Sequence, residues 1–221
     1  MTKEIRNLIL IFSGVIVIAF LGYYFILSAQ PKYVTEEKTS AIPSMPMVGN
    51  LASGHSFSSG PIDAKVTVVE FFDPECSACA AVAPIIKKEM QHYEGRVRWV
   101  FRYMAFHHNS KTAIRILEAA RQQKLFLQTQ EALFEKRETW GEKQVSTEDE
   151  ILNVVKQVKG LNFAELKSEL SVSKADELLQ RDTDEGHQAG VNGTPTFFVN
   201  GVMLEPLNLD ELIARIDAGL K

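Results

Sequence analysis

The stretch Val66-Thr67-Val68-Val69-Glu70-Phe71-Phe72-Asp73-Pro74-Glu75-Cys76-Ser77-Ala78-Cys79 decides the fold. Its first seven residues are β-branched and aromatic around one carboxylate, the composition of a buried central strand. Two cysteines follow at C-x-x-C spacing, the only two in 221 residues. A helix starting at the first cysteine sets its sulfur beside unpaired backbone N–H groups and the positive end of the helix dipole, which stabilises a thiolate. The pattern points to dithiol redox chemistry with Cys76 as the nucleophile. The competing readings are an inert disulfide and half of a metal site. Zinc usually takes four ligands, and His107-His108 is the only histidine cluster available to complete such a set.

Downstream, Val82, Ile85, Ile86 and Met90 form a helical stripe within Ala80 to Tyr93, and Pro84 is expected to kink that helix. Gly95 closes it, and Val97 to Tyr103 alternates as a second strand, which completes a β-α-β unit. From about Ser110 to Ala189 the periodicity is helical, with Ile114, Leu117 and Ala120 on one stripe and Ile151, Val154, Val155 and Val158 on another. Ser146-Thr147 ahead of Glu148-Asp149-Glu150 reads as a helix start, where carboxylates are favoured. Gly193 to Leu204 reads as two short strands joined by Asn200-Gly201, a strong hairpin signal. Asn208 and Glu211 then resemble a capping box opening a final helix.

Upstream, no charged residue occurs between Asn7 and Pro31, and Leu8 to Leu27 is nearly all apolar, the length of a membrane-spanning helix. Residues 1–30 are read as an N-terminal transmembrane anchor, with a cleaved signal peptide as the alternative. Leu27-Ser28-Ala29 makes a poor cleavage site. Lys3 and Arg6 precede the span, so the C-terminal bulk should face the periplasm or the cell exterior from the cytoplasmic membrane. Residues 31–60, with Pro43, Pro46, Gly49 and Gly54, read as a flexible tether, and 61–221 as the folded domain. A net charge of −4 and a pI near 5.8 argue against a nucleic-acid surface.

Three motifs carry a family resemblance: Val68-Val69-Glu70-Phe71-Phe72 before the cysteines, Phe106-His107-His108-Asn109-Ser110 after the second strand, and Gly193-Thr194-Pro195-Thr196-Phe197-Phe198-Val199-Asn200-Gly201. From about Pro61 onward the chain resembles the DsbA-like thiol:disulfide oxidoreductases, in a membrane-anchored form. The fold class implied is α/β: a thioredoxin fold with an all-helical insertion at about 107–190 between the second and third core strands, preceded by one transmembrane helix. The resemblance makes Cys76 the attacking and Cys79 the resolving cysteine. It makes Pro195 a cis-proline facing the disulfide, Thr194 a donor of backbone groups to a bound peptide, and Glu70 a buried acid beneath the active site. No cofactor or resident metal is implied.

The expected function is disulfide formation in unfolded or reduced exported polypeptides, with reoxidation by a quinone-linked membrane thiol oxidase. A reductase or isomerase of the same fold is the alternative, followed by a non-catalytic metal- or peptide-binding module. Two departures from the family bear on direction. Ser77-Ala78 stands where strongly oxidising members have Pro-His, and Asp73 and Glu75 put negative charge beside Cys76, which disfavours a thiolate. The Cys76 pKa is therefore expected below that of a free cysteine and above the most acidic family members.

Overall fold

Two adjacent runs that are buried at nearly every position set the centre of the molecule, β2 (Val66–Phe72) and β3 (Val97–Tyr103). They pair in parallel from Val66 opposite Val97 to Phe72 opposite Tyr103, joined by helix α1 (Ser77–His92). In the computed structural model the described residues are 23, 51–52, 54–141, 146–171 and 174–221. The expected anchor, Tyr23 apart, and the tether up to residue 50 lie outside them. Among the described residues no helix is long and apolar enough to cross a membrane.

Among the described residues the sheet has five strands in the order β1-β3-β2-β4-β5, adding β1 (Phe57–Ser59), β4 (Thr196–Val199) and β5 (Val202–Met203). Strand β4 runs antiparallel to β2 and β5 antiparallel to β4. The turn between β4 and β5 is the expected Asn-Gly pair, with Asn200 and Gly201 both at positive φ (48° and 80°), as a type I′ hairpin turn requires. Asn200 also ties the turn to β2, its side-chain oxygen accepting the Thr67 N–H at 2.8 Å.

Helices α2 (Ser110–Gln122), α3 (Phe126–Glu135), α4 (Arg137–Trp140), α5 (Glu148–Val155), α6 (Phe163–Leu170) and α7 (Ala175–Gln188) form the insertion between β3 and β4, and α8 (Leu209–Leu220) closes the chain. Thr147 caps α5 through a full capping box with Glu150, and Asn208 caps α8 by accepting from the N–H groups of Asp210 and Glu211. Local sequence suffices for these starts because each cap satisfies orphan donors within its own first turn.

Two sequence expectations are corrected. Phe57–Ser59, assigned to the tether, is an edge strand antiparallel to β3, and Leu51 and Ser56 are buried, so the packed body begins before Pro61. Three residues are too few to show a strand period, and only the partner strand reveals them. Strand β3 is buried throughout instead of on alternate positions, because helices cover both faces of a parallel pair.

Alternation along β2 divides the core. Val66, Val68 and Phe72 join the large cluster containing Cys79 and Ile86 of α1, whereas Val69 and Phe71 join a smaller one with Leu51, Met104, Ala189 and Phe198. Glu70 keeps the parity of Val68 and Phe72, which puts it on the cysteine side of the sheet. On the opposite side α7 packs tightly at Gly186, where a Cβ would stand 2.9 Å from Phe71 and 3.1 Å from the Met104 sulfur. Nearby, the fully buried Arg102 donates to Asp182 at 2.5 Å, to Glu185 at 2.6 Å and to the Leu51 carbonyl at 2.8 Å.

Candidate active site

Cys76 is the N-cap residue of α1, with extended backbone angles (φ −68°, ψ 126°). It lies at the C-terminal end of β2, where the central strand stops and the helix begins. Both cysteines are unpaired, as in a reduced dithiol. Cys76 keeps 7% of its surface exposed and Cys79 none, so only the first sulfur is open to attack.

The peptide bond between Thr194 and Pro195 is cis, and both residues are half-buried. The Cys76 thiol donates to the Thr194 carbonyl at 3.3 Å across 118 positions of sequence. Cys76 and the Thr194-Pro195 pair, both singled out from the sequence, thus stand face to face.

The two thiols differ sharply in acidity. Hydrogen bonding from Cys79 lowers the Cys76 pKa most; burial opposes it, and bonds from Thr194 and from the backbone of Cys79 and Ala78 help bring it to about 5. Cys79 is pushed far up, first by burial, then by donating to Cys76 and by the charge of Glu70. One sulfur is therefore a ready thiolate at neutral pH and the other a firmly held thiol, the asymmetry that thiol–disulfide exchange needs.

Glu70 is 5% exposed, between Phe101 on one neighbouring strand and Phe197 on the other. Burial, seconded by the Cys76 charge, raises its pKa to about 8. It also reaches the floor of a cleft of about 890 Å³ between α1 and α3, lined in part by Ala83, Met90, Leu127 and Phe134.

Asp73 and Glu75 are not left as free charges beside Cys76; each accepts hydrogen bonds from the segment after β3. Asp73 Oδ1 accepts the Glu75 N–H at 2.8 Å and the Ser110 hydroxyl at 2.6 Å, while Oδ2 accepts the Phe106 N–H at 2.7 Å. Glu75 takes the Asn109 N–H at 2.6 Å and its side-chain amide at 2.9 Å. Both carboxylates are turned into the 106–110 segment, and the Cys76 pKa falls to about 5 despite them. Sequence reasoning missed this network. Its signal was the pairing of D-P-E before the cysteine with the H-H-N-S segment after β3, which periodicity alone does not connect. Trp99 and Trp140 are buried. His107 and His108 lie in the loop before α2.

Residues 52–218 match the family model described as Thioredoxin. The chain belongs to the thioredoxin family. It is 29% identical over 178 residues to the probable disulfide bond formation protein D of Bacillus anthracis, covering 74% of this chain and 78% of that protein. It superimposes on the crystal structure of oxidised BdbD from Bacillus subtilis with a TM-score of 0.65 and 26% identity, over 75% of this chain and 92% of that one. A further relative is the Na(+)/H(+) antiporter NhaA 3 of Salinispora tropica, 29% identical over 161 residues and 71% of this chain. The chain spans only about a quarter of the antiporters it matches. The Bacillus relatives, matched over about three quarters of their length, are named for disulfide bond formation.

Proposed function

We propose that the chain is an extracytoplasmic thiol:disulfide oxidoreductase that forms disulfides in reduced, exported polypeptides through Cys76 and Cys79. The observation that carries this reading is the Cys76 sulfur at a helix N-terminus, on the one cysteine of the pair that keeps some exposure, its pKa depressed to about 5 while its partner is held protonated. Stabilising that thiolate favours the reduced protein, which makes the disulfide form an oxidant.

In the proposed cycle a substrate thiolate attacks Cys76 of the oxidised pair. The Cys76–Cys79 bond breaks, a substrate–Cys76 bond forms, and Cys79 leaves as a thiolate that must be protonated at once. Glu70, with a pKa of about 8, is the proton donor, and its cleft gives water a route to restore the proton. A second substrate thiolate then attacks the substrate sulfur of the mixed disulfide, forming the product disulfide and releasing Cys76 as thiolate. Two electrons have passed to the protein. A quinone-linked membrane thiol oxidase would take them up, with residues 8–27 anchoring the domain at the membrane surface. Thr194, next to Pro195, offers its carbonyl to an extended substrate in the place it now offers it to the Cys76 thiol.

Reduced, unfolded ribonuclease tests the proposal. Oxidised protein should restore ribonuclease activity stoichiometrically, and Cys76→Ser should abolish this. Rescue of scrambled ribonuclease without oxidation of the reduced form would assign an isomerase, and no exchange in either assay would remove the enzymatic reading.

A further inference from the structure

Ser77-Ala78 puts no charge between the cysteines, yet the fold seats an imidazole from the loop after β3 on Asp73, the residue whose carbonyl holds the Cys76 N–H. His107 Nδ1 lies 2.9 Å from Asp73 Oδ2, and the His107 backbone N–H donates to the same oxygen at 3.2 Å. The main-chain carbonyl of Asp73 in turn accepts the N–H of Cys76 at 3.1 Å. One residue therefore holds the ring with its carboxylate and the sulfur-bearing residue with its backbone. Asp73 is fully buried, whereas the His107 side chain is 45% exposed, so the carboxylate is fixed by the interior while the ring stays wet.

We propose that the Asp73-bound His107 is a fixed imidazolium that tunes the attacking sulfur: Asp73 positions the ring, and its charge favours the Cys76 thiolate. This rests on the redox reading of Cys76 but adds a residue acting on it from outside the C-x-x-C segment. A neighbouring cationic histidine is a general means of lowering a cysteine pKa. The charged groups facing the ring are Asp73, Cys76 and Glu75. Burial lowers the His107 pKa, but the Asp73 bond and charge, followed by the charges of Cys76 and Glu75, overcome it and leave the pKa above the ordinary histidine value. The ring is thus charged over the range in which Cys76 ionises.

Coupling of this kind is reciprocal, which makes it measurable in the unaltered protein. Oxidising the cysteines removes the thiolate, so the His107 ring protons, followed by NMR against pH, should titrate lower in oxidised than in reduced protein. Replacing His107 by Ala, or by Gln to keep a donor toward Asp73 without charge, should raise the Cys76 midpoint by about half a unit. Both should shift the equilibrium with glutathione about threefold toward the disulfide form, by the same linkage.

A purely structural histidine would be rescued by Gln. Equal His107 midpoints in the two redox states would overturn the proposal, as would an unchanged Cys76 midpoint in His107→Gln. The NMR comparison needs no variant, so a misfolded substitution does not spare the idea. Failure of ribonuclease oxidation with an intact reciprocal shift would count against the proposed function alone.

Discussion

Acidifying the reduced protein from about pH 9 to about pH 4 should convert Cys76 from thiolate to thiol near pH 5, and the stability of the reduced form should follow. A thiol with the reference pKa of 9.0 is about 1% ionised at pH 7, whereas one at about 5 is about 99% ionised. The corresponding stabilisation of the folded, reduced state is at most about 3 kcal/mol at pH 7. Solvent screening at a partly open sulfur brings the expectation to about 1–2 kcal/mol, or roughly 20–40 mV in a two-electron potential. The folded pKa is depressed, so this stability is complete above the unfolded pKa, partial at pH 7, and lost as the pH falls through about 5. Thiolate ultraviolet absorbance and urea unfolding of reduced wild type against Cys76→Ser measure it. The stability difference should grow between pH 5 and pH 8 and vanish below. A single absorbance midpoint at or above about 8.5, the free-cysteine value, would refute helix-end activation of Cys76.

Glu70→Leu removes a buried acid whose pKa is raised to about 8. A raised carboxyl pKa costs stability as pH climbs from about 4.5 toward 8, so the variant should gain up to about 3 kcal/mol in urea unfolding at pH 7 and nothing at pH 4. The same variant should slow release of Cys79 in stopped-flow exchange with a model thiol. Arg102→Met removes the guanidinium from the buried Asp182 carboxylate, which keeps the His55 ring and the Tyr103 N–H, and should lower unfolding free energy by about 3 kcal/mol. Adding Asp182→Asn should restore part of that loss, since the two residues share one network. Gly186→Ala gains about 1 kcal/mol of helix propensity, but its Cβ meets Phe71 and Met104 at 2.9 and 3.1 Å. Overpacking of about 1–3 kcal/mol should prevail as a lowered Tm.

Much of the fold was legible along the chain. Strands β2 and β3, the C-x-x-C helix, the helical block, the Asn200-Gly201 hairpin and the caps at Thr147 and Asn208 all rest on interactions within a few residues, which periodicity and cap chemistry encode directly. The cysteine pair and the acid among apolar neighbours were visible for the same reason. Strand β1 was not, because three residues take their conformation from β3.

What sequence alone determined was the type of chemistry, since two cysteines three positions apart after a buried strand have few other uses. Tertiary structure decided how that chemistry is set. Burial and the bond between the two sulfurs separate the acidities of Cys76 and Cys79, and a contact across 118 positions brings Thr194 to the sulfur. The folding of residues 106–110 onto Asp73 and Glu75 turns two expected antagonists of the thiolate into ligands for backbone and side-chain donors. A charge's effect depends on which partners surround it and how much water remains, and chain separation carries no record of either.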